Sequence, residues 1–445
     1  MRIKLNSTML IRTIIISILS YFSFNISTIA QTRQDQDNTI SKTYTLAQIF
    51  ELAKSMDNKY LANFPNQQAS IQRLKQAKAT LLPQIVIQGK TQYNYNNISN
   101  TSYSGISNSA GINLSQALYR KDLFIGVKQA KQNIDLADLQ LSIAENELAI
   151  QCAQIYFNIL NAQDNIDLIK VKKHNILQQL QSAKRNFEVG NATITDTHEA
   201  QAKYDQAIAD EITAKNELVT QQSALYSLIA QNLQLQKLVI NDISKININH
   251  NIDVNQNLQV RAAFLNNDLA GLAIQKAKAA NYPIVDLVSG LTINNSNTNS
   301  NFDNQNSGKG ASIGINVSIP IFTGLANKAL INESQFLQQK SNLEYKNSIN
   351  QTNLSVEQTK NTLNSLVSQY NALISAKESS LLALKSNKLG YEVGVRINID
   401  VLNAQEQVYI AEKNIKKTQY DILLNIIKLK SLGKVLSEED LQFNL

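Results

Sequence analysis

The sequence predicts an α/β membrane protein, internally duplicated, in which three chains give four strands each to a 12-stranded β-barrel that continues into a long α-helical coiled-coil barrel. Three observations predict it. Lys121–Phe187 and Ala326–Leu389 contain no proline and, of the glycines, only Gly126, with apolar residues at helical spacing throughout. Four other segments alternate apolar and polar residues, the period of a strand with one wet and one greasy face. Finally, one motif occurs twice: FEVGNATITDTHEAQAKY from Phe187 and YEVGVRINIDVLNAQEQV from Tyr391 share an aromatic-Glu-Val-Gly, an Asp and an Ala-Gln in register without a gap.

Composition agrees with long helices. The 445 residues hold only 14 Gly and 4 Pro, and no Trp. The net charge of +7 is not gathered into Lys/Arg clusters interleaved with aromatics, so nucleic acid is not an expected partner. Residues 1–30 read as a secretory signal peptide: Arg2, Lys4 and Arg12 precede an apolar run from Ile14 to Phe24, then Ser27-Thr28-Ile29-Ala30 as a small-residue cleavage site. That run is shorter than the ~20 residues a spanning helix needs. Cys152 is the single cysteine, which excludes an internal disulfide and a lipidated cysteine after the signal; it reads as a small packing residue.

In chain order, residues 31–253 form an expected first structural repeat. Leu46, Ile49, Phe50 and Ala53 open a helix, with an interruption expected around Pro65. A β-hairpin over 84–119 follows: Ile85, Ile87, Tyr93 and Tyr95 share a face, as do Ile112, Leu114 and Leu118, with an Asn/Ser loop between the two strands. A helical hairpin over 121–236 comes next, and the Asn- and Ile-rich stretch 237–253 reads as a connector. Residues 254–445 repeat the plan. Here the β-hairpin spans 284–322 with Val285, Leu287, Leu291, Ile293, Ile313, Ile315, Val317, Ile319 and Ile321 on one face, and the helical hairpin spans 325–433 before a short tail.

Each helical hairpin turns at a glycine, Gly190 or Gly394, the residue type that enters the left-handed region cheaply and so ends helices. Thr193 or Thr195 in the first corner and Asn398 in the second are the N-cap candidates, with Asp196 and Asp400 in the opening turns, where a carboxylate suits the helix dipole.

Four strands of about ten residues have the length of tilted membrane strands, yet they cannot close a barrel alone and would leave unsatisfied edges. Three chains would supply about twelve, within the range of bacterial outer-membrane barrels. The apolar faces would then meet lipid and the polar faces line water.

The residues that carry a family resemblance are now in view. The stretch VGNATITDTHEAQAKYD at Val189, YEVGVRINIDVLNAQ at Tyr391, the helix start at Leu46 and the tail LGKVLSEEDL make nearly the whole mature chain resemble the TolC family of outer-membrane channel proteins. The resemblance implies a homotrimer in the outer membrane whose helical tunnel crosses the periplasm and closes at its tip. It implies a passive exit duct of a tripartite export system, for multidrug efflux, type I protein secretion or both. Its implied partners are a periplasmic adaptor, an inner-membrane ABC transporter or resistance-nodulation-division pump, and outer-membrane lipid, with no cofactor. By motif position, the resemblance assigns a tip gate to Thr195, Asp196, Tyr391 and Arg396, a tunnel constriction to Asp400, and adaptor docking to Val189, Gly190, Val393 and Gly394. Asn403 stands where many members carry a second Asp, so three carboxylates are expected at the constriction instead of six, with cation selectivity kept and multivalent block weakened.

The residues supply no enzyme chemistry. His174, His198 and His250 have no metal-ligand spacing, and Ser307-Gly-Lys-Gly310 lacks the distant Gly and the Ser/Thr of a phosphate loop. The alternative reading is a periplasmic coiled-coil scaffold without a pore; the four amphipathic strands speak against it.

Overall fold

A computed structural model describes residues 43–98, 101–238, 252–299 and 304–442, and everything below belongs to the unit Tyr44–Leu445. The expected signal peptide at 1–30, most of the connector and His250 lie outside the described residues.

Three short helices lead in: α1 (Leu46–Met56), α2 (Asn58–Leu61) and α3 (Asn63–Ala79). A capping box starts α1, in which Thr45 and Gln48 each bond the other's backbone N–H. The segment breaks first at Asp57, whose carboxylate accepts the Tyr60 N–H at 2.6 Å and so starts a new helix, and again at Ala62, close to the interruption expected around Pro65. Pro65 sits in the first turn of α3, where a missing N–H costs nothing.

Strands β1 (Gln84–Ile98), β2 (Thr101–Tyr119), β3 (Ile284–Asn299) and β4 (Asn304–Ser318) pair in that order, antiparallel throughout, as one four-stranded sheet. They are longer than the ten residues expected. Much of the Asn/Ser-rich 96–109 and 295–310, expected as loops, is strand, with Ile98 paired to Thr101 and Thr298 to Asn304. Each added pair in the ladder satisfies backbone groups, and this outweighs the poor strand propensity of Asn and Ser. Conversely, β4 stops at Ser318, so Ile319 and Ile321 leave the expected strand just where Pro320 removes a donor.

Two helical hairpins complete the chain. α4 (Lys121–Glu188) and α5 (Ile194–Ile229) make the first; α6 (Leu258–Ala279) precedes the second hairpin's strands, and α7 (Ala326–Glu392) and α8 (Asn398–Ser431) follow them. At 1.5 Å per residue, the 68 residues of α4 extend about 100 Å. None of the described helices is long and apolar enough to cross a membrane. α5 ends at Ile229, short of the end expected for the first helical hairpin at 236, because Ala230 takes up left-handed geometry at φ 52°. Side by side the helices run α7, α8, α4, α5, each packed on the next.

The apolar core is concentrated midway along the bundle. Phe50 of α1, Tyr156, Phe157 and Leu160 of α4, Leu228 of α5, and Leu423 and Ile427 of α8 are all buried there. Fully burying side chains of this size stabilises by roughly 1.5–3 kcal/mol each. Cys152 lies in this core, and burial pushes its thiol up to about 12, so it is a packing residue. The tail closes over the same region. Buried Asn146 donates to the Lys434 carbonyl at 3.0 Å and accepts the Leu436 N–H at 2.8 Å, while Asp440 pairs with Lys434 at 2.7 Å and Lys430 at 3.1 Å. Toward the corners the core thins to Ala183, Ala200 and Ala207 with Ile176, Leu180 and Leu402.

Candidate channel wall and helical tip

The wall follows from the sheet register. Residues directly opposed in an antiparallel pair share a face, and Ile87, Ile112 and Leu291 stand opposite one another across three strands, as do Leu287 and Ile315, and Val285 and Val317. All four strands therefore present one apolar face. On it Ile87 is 77% and Ile313 78% exposed, which no water-soluble sheet of a single chain would tolerate. The other face carries Gln88, Lys90, Asn94, Asn113 and Asn316, with Asn94 donating to Ser107 at 3.0 Å. Among the described residues, both outer strands of the sheet, β1 and β4, keep an unpaired edge. A bulge between Ala117 and Tyr119 re-aims the end of β2 as it enters α4.

At the opposite end of the long helices lie the two corners, and one backbone device closes both. Gly190 and Gly394 have φ of 78° and 80°. The following N–H bonds back across the turn, Asn191 to the Asn186 carbonyl and Val395 to the Gly390 carbonyl, both at 2.8 Å, which satisfies a carbonyl the helix end leaves open. Val189 and Val393 beside them are about 70% exposed, at 68% and 70%.

The caps then differ. Thr193 is the N-cap of α5 in a full capping box, and Asp196 is its partner: Asp196 accepts the Thr193 N–H at 3.0 Å and the Thr193 hydroxyl at 2.8 Å. Thr195, the other candidate, is exposed. In the second corner Ile397 occupies the cap position and has no side chain to give, so Asp400 is free to pair with Arg396, at 3.6 Å one turn away. Asn398 is therefore not the cap. It is fully buried and joins the hairpins, accepting from Gln179 of α4 at 2.5 Å and donating to the Asp196 carbonyl at 3.3 Å. Tyr391 accepts from Asn186 of α4 at 3.1 Å.

Within one chain, the four residues assigned to the gate thus do not form a single cluster. Asp196 serves its own helix, Arg396 its own corner, and Tyr391 and Asn398 make the crossings. Arg396, Asp400 and exposed Asn403 also line a groove of about 530 Å³ between α7 and α8, together with Ser379, Ser380, Asn387 and Gln407. Behind the first corner, Lys173 and Lys215 both bond Glu211, and those hydrogen bonds lower its carboxyl to about 2.

The model of the outer membrane efflux protein family matches residues 65–231 and again 254–433. The chain belongs to the outer membrane efflux protein family. It is also 29% identical over 405 residues to outer membrane protein TolC of Vibrio cholerae, covering 89% of this chain and 92% of that protein. To the alkaline protease secretion protein AprF of Pseudomonas aeruginosa it is 24% identical, over 88% of this chain and 85% of the relative. The CmeC outer membrane channel of Campylobacter jejuni has the same fold, with a TM-score of 0.75 over 92% of this chain and 94% of that one at 16% identity. As a member of the efflux family, the protein is an outer-membrane channel protein with its helices in the periplasm, and it is not an enzyme. Among the described residues no group of three His, Cys, Asp or Glu is placed to hold a metal ion.

Sequence reasoning overlooked several tip residues of this efflux-family chain. Gln179 and Asn186 sit on a helix face whose periodicity is unremarkable, so only the partners across the interface reveal them. Gly390 was also overlooked: a Cβ there would come within 2.7 Å of the Arg396 Cγ, so only glycine lets the Arg396 stem lie across the end of α7. Its clue was a second glycine four residues before Gly394.

Proposed function

We propose that three copies of the chain close a twelve-stranded barrel in the outer membrane and form a passive exit duct of a tripartite export system. The observation that carries this reading is the four-stranded sheet, with one continuous apolar face and two unpaired edges. Lipid on that face and neighbouring copies at the edges satisfy both at once. The chain would be an internal duplicate, 31–253 and 254–445, which the two family matches and the twin glycine closures support.

The tip formed by the corners closes the duct at rest, through Thr195, Asp196, Tyr391 and Arg396, with Asp400 and Asn403 at the constriction. Exposed pairs such as Arg396 with Asp400 contribute only ~0–1 kcal/mol, which suits a gate that a docking partner must open. A periplasmic adaptor would engage the corners at Val189, Gly190, Val393 and Gly394, and an inner-membrane ABC transporter or resistance-nodulation-division pump would supply the energy. Both drug efflux and protein secretion are compatible with one duct; AprF, a relative, is named for the second.

The test is planar-bilayer conductance of the folded assembly, wild type beside Arg396→Ala. Arg396 is the better target, because Asp196→Ala would also break the capping box of α5. Small cation-selective currents that grow in the variant support the duct and its gate. No current from an intact trimer of either protein refutes the duct and leaves the scaffold alternative.

A further inference from the structure

One column of α4 is polar at every seventh residue: Asn165, Lys172, Gln179 and Asn186. Heptad spacing keeps such a column against one partner, and here each member meets the second helical hairpin. Asn165 accepts from the Tyr409 hydroxyl at 3.1 Å, Lys172 pairs with Glu406 at 2.7 Å, Gln179 donates to Asn398 and Asn186 to Tyr391. Three of these crossings are neutral hydrogen bonds, which exchange with water at little net cost.

Lys172 is different. It is 8% exposed, the one buried lysine among the described residues. Its ammonium holds Glu406 of α8 and, at 3.1 Å, Asp210 of α5, and it lies 4.6 Å from the ring centroid of Tyr409. A single cation therefore ties three helices across both hairpins. Burial tends to raise the Asp210 carboxyl, but hydrogen bonds from Gln206 and Lys172 outweigh it and leave it below its ordinary range. Removing Lys172 leaves two half-buried carboxylates without their shared counter-charge, and removing a carboxylate leaves the buried ammonium short of a partner, which costs more than losing a neutral bond. Lys172 stands 18 positions before Gly190, about 27 Å from the corner along α4.

We propose that Lys172 is a positioning residue for the gate: its junction with Glu406 and Asp210 is the last charged attachment of the second hairpin to the first before the corners. Motion of the tip pivots about it, while the neutral crossings between it and the corner open and reclose. This rests on the duct reading above. Nothing in the motif positions that assign the gate includes Lys172, Asp210 or Glu406.

The test compares Lys172→Met, Lys172→Arg and Glu406→Gln with wild type and with Arg396→Ala, all in the full-length assembled protein. Readouts are bilayer conductance and hydrogen exchange along residues 398–410. The Met and Gln variants are expected to raise conductance at least twofold and to speed exchange at least tenfold, whereas Lys172→Arg, which keeps the charge, stays within twofold of wild type. Wild-type conductance in both, with trimers that merely dissociate at lower temperature, would make the junction structural only and overturn the proposal. If Lys172→Met does not assemble, Glu406→Gln decides alone, since it keeps the Asp210 pair; unchanged conductance there overturns the proposal too. Absence of current in every variant, Arg396→Ala included, would instead remove the duct reading, and the pivot with it.

Discussion

Replacing Asn398 by Ala should unfasten the tip without unfolding the bundle. The side chain is fully buried, accepts from Gln179 at 2.5 Å and donates to the Asp196 carbonyl at 3.3 Å. The Asp196 carbonyl keeps its place in the hydrogen-bond ladder of α5, so its loss is small. The half-buried Gln179 amide, in contrast, loses its partner, and an unsatisfied donor of this kind costs at the low end of about 1–3 kcal/mol. Taking about 1 kcal/mol, the ratio of closed to open tips should fall roughly fivefold. Only the closed arrangement contains this bond, so the whole effect acts on the gate. Bilayer conductance should rise, and amide exchange should quicken across 179–200 and 390–405 while 146–160 stays protected. Gln179→Ala should do the same, and the double variant should add little to either single one, because both remove one interaction. Additive effects, or an exchange pattern unchanged from wild type, would refute the assignment of Asn398 as the crossing bolt.

Four further outcomes are expected. Gly394→Ala forces a side chain to φ 80°, a cost of roughly 1–2 kcal/mol, and limited proteolysis should cut its second corner first; Gly390→Ala, at a normal φ, should instead displace Arg396 and raise conductance. Asp400→Asn should abolish most cation selectivity in single-channel recordings, and tight multivalent block that survives it would contradict a three-carboxylate constriction. The Glu211 carboxyl lies below its ordinary value of 4.5, at about 2, so its bonds to Lys173 and Lys215 stabilise the fold fully above pH 4.5. That contribution fades as pH falls toward 2, and acid unfolding of wild type over this window should be steeper than that of Glu211→Gln.

The periodic features of this chain were legible in its sequence. Lys121–Phe187 and Ala326–Leu389 were marked as helices by the absence of proline and near-absence of glycine over more than sixty positions, and Gly190 and Gly394 marked the corners because glycine alone enters the left-handed region cheaply. Strand ends were not legible, because the Asn and Ser residues past Tyr95 favour turns locally and are held extended only by their partners across the ladder. Nor were the tip contacts. Thr193 and Asp196 bond each other three residues apart, which a local pattern can show, but Asn398 meets Gln179 across 219 residues, and no local rule tells a capping Asn from a bridging one. Ile397 decided it, by leaving the second cap empty.

The uneven core has a mechanical meaning. Aromatic and leucine side chains, along with the clasped tail, bind α1, α4, α5 and α8 into a collar midway along the helices, while the last stretch before the corners rests on alanines. Stiffness therefore falls from collar to tip, as in a reed clamped at its base. A push applied at the corners bends the free ends and dies out at the collar, so the sheet beyond it keeps its register while the far end moves.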